Sequence, residues 1–296
     1  MRGSLLTKGS SAGGDEGVPV PIQTRVAAGS SRARQGTPNS NYFPRSAFRA
    51  WPEIRSQLRA ADPQAILLDF DGTLVNLRPA PGDVEVPAGV RRMLQRLVGH
   101  ANLFVAVVSG RRVRDLRGRL GVEGLRYFGL HGAERDGESR RISQKARVAL
   151  ARAKRDARLS LSDLPGIWIE DKSLAFAVHY RSAGASAVQA ANERLFNLVA
   201  KGDGALHVLN GSRVWEILPR EIPGKSVAVK QVLGELPAGA PVVYIGDDGT
   251  DEVAFAVLQN QITIRVGREH GTRARYYVRT PADVLRFLAR LEGELR

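Results

Sequence analysis

Two apolar strands that each run into a cluster of aspartates constrain this chain more than any other feature. The first carries Ala65-Ile66-Leu67-Leu68 into Asp69-Phe70-Asp71-Gly72-Thr73. The second carries Pro241-Val242-Val243-Tyr244-Ile245 into Gly246-Asp247-Asp248-Gly249-Thr250-Asp251. Unbroken apolar strands are buried on both faces, as in parallel sheets covered by helices. Two of them ending in acidic turns gather carboxylates at the carboxyl edge of one sheet, where open α/β sheets bind ligands. Hard oxygen ligands there suit Mg²⁺ rather than Zn²⁺.

The surrounding pattern alternates in the same way. Residues 65–70 read as a strand, 87–98 as a helix with Pro87 in its first turn, and 103–108 as a strand. Residues 113–120 read as a short arginine-rich helix and 125–130 as a strand ending at His131-Gly132. The middle differs: a helix over 143–160, half-buried strands over 167–172 and 174–181, a helix over 186–200, and a hairpin turning at Asn210-Gly211. From Gly224 the rhythm returns, with a helix to Leu236, a strand over 242–245, a helix to Leu258, a strand over 262–266 and a final helix from Pro281. The expected fold class is α/β, a Rossmann-like parallel-sheet core at 46–134 and 219–296 interrupted by an inserted α+β cap at 135–218. Residues 1–45 are rich in Gly, Ser, Arg and Pro without periodicity and read as a disordered or extension arm. Its Arg and Ser content resembles a transit peptide, but Asp15, Glu16 and the lack of an amphipathic pattern argue for an added extension or an over-long start.

Composition excludes several classes. The chain has no cysteine, so disulfides, thiolate metal sites and cysteine nucleophiles are out, and a reducing, cytoplasmic setting is compatible. No apolar run approaches the roughly 18 residues a membrane span needs. The net charge of +14 raises nucleic acid as a partner. The arginines are spread over many helix faces, however, and aromatics make up only 6% of the chain, thin for base stacking. A small anionic substrate suits this surface better, with no nucleic acid and no membrane expected.

The residues divide the chemical labour. Asp69, at the strand end, can attack phosphorus in line. Asp71 can protonate the leaving oxygen and then deprotonate water. Gly72 relieves crowding in the turn, and the Thr73 hydroxyl can tie it. Ser109-Gly110-Arg111 closes the second strand and can hydrogen-bond a phosphoryl oxygen. Lys225 opens a helix after Gly224 and can neutralise charge in an anion site. Of the second acidic loop, Asp247, nearest the strand, is the better metal ligand; Asp248 can ligate or orient it, and Asp251 can instead cap the next helix.

These strings, Asp-Phe-Asp-Gly-Thr, Val-Ser-Gly-Arg, Gly-Lys and Gly-Asp-Asp-Gly-Thr-Asp, in this order, resemble the haloacid dehalogenase superfamily of aspartate-dependent phosphatases over most of residues 65–290. Three more narrow the resemblance to the trehalose-6-phosphate phosphatase family: Gly129-Leu130-His131-Gly132-Ala133-Glu134, Glu170-Asp171-Lys172 and His179-Tyr180-Arg181. The resemblance implies Mg²⁺-dependent hydrolysis of trehalose 6-phosphate through a phosphorylated Asp69. Mg²⁺ would be held by Asp69, the Asp71 main-chain carbonyl, Asp247 and Asp248. It also implies functional pairing with a trehalose-6-phosphate synthase.

The cap pattern points to a sugar on its own account. Leu174, Phe176, Val178 and Tyr180 share one strand face; Ala175, Ala177, His179 and Arg181 share the other. Glu170 and Lys172 share a face, and Glu216 lies opposite Trp215 and Ile217. Carboxylates and cations on an open sheet face suit sugar hydroxyls. His131 reads either as a site residue or as a structural histidine. One departure stands out: the family often has arginine two residues beyond the matching glutamate, where this chain has Leu218, leaving Arg213 or Arg220 to compensate. Sucrose phosphate or a glycosylglycerate phosphate therefore stays open as the substrate, as does a nucleic-acid-binding or regulatory protein on the same fold.

Overall fold

The computed structural model describes residues 42–59, 64–78 and 81–295. Residues 1–41, most of the expected arm, lie outside the described residues. Elements run β1 (Arg45–Ser46), α1 (Trp51–Arg59), β2 (Gln64–Leu68), α2 (Ala88–Val98), β3 (Leu103–Val108), α3 (Val113–Leu120), β4 (Arg126–Gly129), β5 (Glu134–Arg135) and β6 (Glu138–Ser139). Then come α4 (Gln144–Ser160), β7 (Trp168–Asp171), β8 (Phe176–His179), α5 (Ala185–Ala200), β9 (Leu206–Gly211) and β10 (Val214–Pro219). The chain closes with α6 (Ser226–Glu235), β11 (Val242–Gly246), α7 (Glu252–Val257), β12 (Ile262–Val266), β13 (Tyr276–Val278) and α8 (Pro281–Glu292).

The larger sheet has the order β1-β13-β12-β11-β2-β3-β4-β5-β6. Its pairs are parallel from β1 through β4 and antiparallel at the β4-β5-β6 edge. Every residue of β2 is buried, so both faces must be covered. Ile66 and Leu68 pack with Val90, Leu94 and Leu97 of α2 and Phe287 and Leu291 of α8. Ala65 and Leu67 pack on the other side with Ala228 and Val232 of α6 and Phe255 of α7. Both α2 and α8 bury positions spaced three and four apart, the stripe an amphipathic helix presents to a core. In α8 the Thr280 side chain accepts from Asp283 N and Pro281 takes the first turn, a matched N-terminal cap.

The register places the chemistry. Leu68 pairs with Ile245 on one side and Val107 on the other. Asp69, Ser109 and Asp247 therefore leave the sheet at one edge, side by side.

A second, antiparallel sheet, β7-β8-β10-β9, carries α4 and α5 on one face. Phe176, Val178, Tyr180, Trp215 and Ile217 pack there against Leu150, Ala157, Leu195 and Leu198. This is the inserted α+β cap of the expected fold class. Leu174 departs from its expected face: Ser173 turns with φ 68°, and Leu174 packs instead with Leu130, Ala133 and Leu218.

Three short pieces had no apolar run to mark them. Residues 42–45, read from sequence as arm, join the core: Tyr42 bonds Arg275 O and Arg45 pairs with Tyr276. β13 is only three residues long. The β5–β6 hairpin turns at Asp136-Gly137, both at positive φ, and extends the large sheet where the sequence suggested the cap begins. That dipeptide is its one sequence signal.

Candidate active site

Asp69 is 4% exposed at the end of β2, and its amide donates to Ile245 O. Lys225 Nζ lies 2.7 Å from Asp69 Oδ1 and 2.8 Å from Asp251 Oδ1. Asp251 is fully buried. Its carboxylate also accepts from the Tyr244 hydroxyl and from the amides of Asp247 and Asp248. From sequence Asp251 reads as a helix cap; in the structure it lies inside the site and its side chain makes no capping bond to α7. The acidic run itself was the signal for it.

Ligand oxygens of Asp69, Asp247 and Asp251 all lie within 4.8 Å of one another. Lys225 is the cation in contact with this group, so negative charge exceeds positive. The consequences show in the protonation of the site. Burial pushes Asp69 up to about 7, with Lys225 opposing and the neighbouring carboxylates adding to the rise. Burial and the charges of Asp69, Asp248 and Asp251 push Asp247 well above the usual range. Burial would lower Lys225, but Asp251 and Asp69 outweigh it and raise it. An oxygen-only set with surplus negative charge fits a hard divalent cation.

Asp248 stands outside that group. Its Oδ1 accepts from Thr250 N and Oγ1, and its Oδ2 from Ser212 N in the β9–β10 turn, tying cap to core. The Asp71 carboxylate also points elsewhere, into a two-pronged pair with Arg111 at 2.6 and 2.8 Å. Asp115, four residues on in α3, holds the same guanidinium at 2.7 Å, and Phe70 lies beneath it. Burial would lower Arg111, but its bonds to Asp71 and Asp115 hold it firmly protonated. Asp115 is a member the sequence reading lacks; its helical spacing from Arg111 was the available signal.

Gly72 lies behind the cavity wall, and the reason it is glycine is direct. It has φ 80°, and a Cβ there would sit 2.0 Å from Asp247 Oδ2. Thr73 Oγ1 donates to Asp247 Oδ1 at 3.3 Å. Ser109, 2% exposed, accepts from Arg111 N through Oγ.

The cap closes over this edge. Lys172 Nζ donates to Gly110 O at 3.1 Å and to Glu216 Oε1 at 3.0 Å. A Cβ at Gly110 would meet Glu216 Oε1 and His131 Nε2 at 2.8 Å, so the approach of the cap also needs glycine. Glu216 and Lys172 are each 6% exposed. Burial would raise Glu216, but Lys172 and His131 outweigh it and hold it well below the usual carboxylate range. His131 Nε2 lies 3.1 Å from Glu216 Oε2, yet the two are misaligned: both, with His131 Nδ1, are buried without a hydrogen bond. Leu130 and His131 are held at φ 47° and 57°, the left-handed region, which aims His131 at this place. Glu170 Oε2 meets His179 Nε2 at 3.0 Å, and Arg181 donates to Ser212 O and to Arg78 O.

Asp69, Asp71, Ser109, Gly110, Arg111, His131, Glu170, Lys172, His179, Arg181, Glu216, Lys225, Asp247 and Asp248 thus line one cavity, joined by Arg78 and Arg213. Leu218 is fully buried against Leu130, Ala133 and Ile222. Arg220 is spent on the carbonyls of Gly204 and Leu206, away from the cavity, while Arg213 lines it.

An acidic edge of a parallel sheet, closed by an α+β cap inserted between the serine and lysine strings, defines a haloacid dehalogenase-type protein. Comparison narrows it. The family model for trehalose-phosphatase matches residues 67–281. A trehalose-phosphate phosphatase of Mycobacterium marinum is 34% identical over 252 residues, 78% of this chain. That of Mycobacterium tuberculosis is 34% identical over 253 residues. The chain spans 62% of the length of these relatives. The C-terminal domain of the C. albicans trehalose-6-phosphate phosphatase shares the fold at TM-score 0.73 and 21% identity, covering 86% of this chain and 99% of that domain. The chain belongs to the trehalose-phosphatase family.

Proposed function

We propose that the protein is a Mg²⁺-dependent phosphatase that hydrolyses trehalose 6-phosphate to trehalose and phosphate. Asp69 Oδ attacks phosphorus, forming an aspartyl phosphate as the sugar alkoxide leaves. Asp71 gives that alkoxide its proton and then takes one from the water that hydrolyses the acyl phosphate. Asp71 enters the first step protonated, leaves it as the carboxylate that Arg111 pairs with and aims, and is protonated again by the attacking water. Lys225 and Ser109 hold phosphoryl oxygens, and the charge of Lys225 opposes the rise that burial imposes on Asp69. Asp69, Asp247 and Asp251 would hold the cation, with the Asp71 carbonyl and Asp248 in the same loops. Bound there, Mg²⁺ neutralises the carboxylates and the phosphoryl charge.

The observation that carries the sugar reading is the buried Lys172–Glu216–His131 cluster. Glu216 and His131 line the cavity, and Glu216 Oε2 and both His131 ring nitrogens are buried with hydrogen-bonding capacity unspent. Buried polar groups without partners are costly, and sugar hydroxyls, each donor and acceptor, satisfy them. The relatives' names point the same way: the similar Mycobacterium proteins are trehalose-phosphate phosphatases. In this reading the phosphatase core takes in the chain from β1 through the β5–β6 hairpin and again after β10, and the module between supplies the sugar contacts other than His131. A cytoplasmic setting and functional pairing with a trehalose-6-phosphate synthase complete the reading. Phosphate release measured over a panel of trehalose, sucrose, glucosylglycerate and glucose phosphates tests it. The largest kcat/KM belongs to trehalose 6-phosphate; a larger value for another sugar would keep the chemistry and overturn the substrate.

A further inference from the structure

The open face of the cap sheet does not end at the groups that line the cavity. Register places Gly211, Val214, His179 and Trp168 in one row across β9, β10, β8 and β7. Gly211, Val214 and His179 line the cavity; Trp168, on the edge strand, stands one position further out. Its neighbours Ile167 and Ile169 turn inward to the cap core. Its indole lies flat on the His179 ring, centroids 3.8 Å apart and planes 6° apart. His179 in turn bonds Glu170 at 3.0 Å. Glu170 borders both the Asp69 cavity and an open cleft lined by Gly82, Arg111, Arg112 and Arg119. The cavity and the cleft therefore meet at Glu170 of β7, two residues from Trp168.

Trp168 is 42% exposed, whereas the other tryptophans, Trp51 and Trp215, are 5% and 0% exposed. One indole face is spent on His179. A sugar presents C–H edges of slight positive charge, which an aromatic face of negative charge attracts, while its hydroxyls need polar partners, here Glu170 two residues on and His179 on the paired strand.

Resting on the sugar-phosphatase reading above, we propose that Trp168 is a specificity-determining platform for the outer ring of a disaccharide leaving group. The Lys172–Glu216–His131 cluster holds the ring beside the phosphoryl group. The Glu170–His179 pair and Trp168 carry the next ring toward the mouth. A monosaccharide phosphate is too short to gain this contact, so Trp168 raises selectivity for disaccharide phosphates rather than chemical rate.

The test is the ratio of kcat/KM for trehalose 6-phosphate to that for glucose 6-phosphate in the full chain, Trp168→Ala and Trp168→Phe. The ratio falls about three- to tenfold in Trp168→Ala, in proportion to the loss of one aromatic contact, and largely recovers in Trp168→Phe. Titration of the full chain with trehalose changes tryptophan emission, and Trp168→Phe abolishes that change. An unchanged ratio overturns the proposal. So does a parallel loss on both substrates, since Trp168 would then serve only to steady His179. If the unaltered chain prefers a different disaccharide phosphate, the substrate assignment fails, and the same ratio taken with that disaccharide decides the role of Trp168.

Discussion

Lys225, 2% exposed between Asp69 and Asp251, shows how burial and pairing together set the charge state of this sheet edge. A buried ammonium persists only when paired, and a buried carboxylate likewise. Asp69→Asn therefore keeps the fold, being nearly isosteric, and loses phosphate release entirely; a folded Asp69→Asn protein that still turned over would exclude the covalent route. Asp71→Asn loses about 10²–10⁴-fold in kcat, the usual contribution of general acid–base work. Glu216 makes a separate prediction about stability. Its carboxyl is held below its ordinary value in the folded chain, by Lys172 and His131 against the effect of burial. Its stabilisation is thus complete above the unfolded pKa of about 4.3 and is lost as pH falls below that toward the folded value. Thermal melting from pH 6 to pH 3, taken as about that window, should show a steeper acid-side fall for the unaltered chain than for Glu216→Gln. Equal slopes would mean that the pair carries no such linkage.

At the scale of elements, the β9–β10 hairpin joins the cap core to the site. Trp215 is fully buried and stacks on Tyr180 at 4.2 Å, while Glu216, one residue on, faces the cavity. Trp215→Ala should cost about 3–5 kcal/mol of stability, read by denaturant unfolding, and should raise KM for the sugar substrate because Glu216 loses its anchorage. A loss under about 1 kcal/mol would contradict this packing. The same alternation made much of the fold legible in the sequence. β3, α3 and β12 fall at the sequence-expected bounds: β3 is an unbroken apolar run, α3 buries Val113, Leu116 and Leu120 at helical spacing and ends at Gly121, and β12 alternates Ile262, Ile264 and Val266. β1, β13 and the β5–β6 hairpin were not legible, since strands of two or three residues carry no period. The face parity of Glu170, Lys172, His179 and Glu216 followed from alternation alone. The orientations of Asp248 and Asp251 did not. Both sit in one acidic turn, and only the packing of Lys225 and Tyr244 draws Asp251 inward while the Ser212 amide draws Asp248 toward the cap.

For the whole molecule, the proposed function assigns chemistry and selectivity to different layers. The parallel core supplies the carboxylates, Ser109 and Lys225; the cap supplies Glu170, Lys172, His179, Arg181 and Glu216. Among the described residues no helix is long and apolar enough to cross a membrane. Metal removal acts on the core layer: EDTA should abolish turnover of every substrate and Mg²⁺ restore it. Asp247→Ala should raise the Mg²⁺ concentration for half-activation more than Asp248→Ala does, because Asp247 gathers with Asp69 and Asp251 whereas Asp248 does not. Equal shifts would contradict that assignment.

The division between layers is tested most directly by the ratio of kcat/KM for trehalose 6-phosphate to that for p-nitrophenyl phosphate, measured in alanine variants at Glu170, Lys172, Arg181 and Glu216. A small ester that cannot use the cap contacts cannot lose their binding energy, and the ratio cancels losses from general misfolding. The ratio should fall in all four variants, by about 10-fold or more at Lys172 and Glu216, whose hydrogen bonds involve charged groups. A parallel fall on both substrates, leaving the ratio unchanged in every variant, would contradict a cap that reads the sugar.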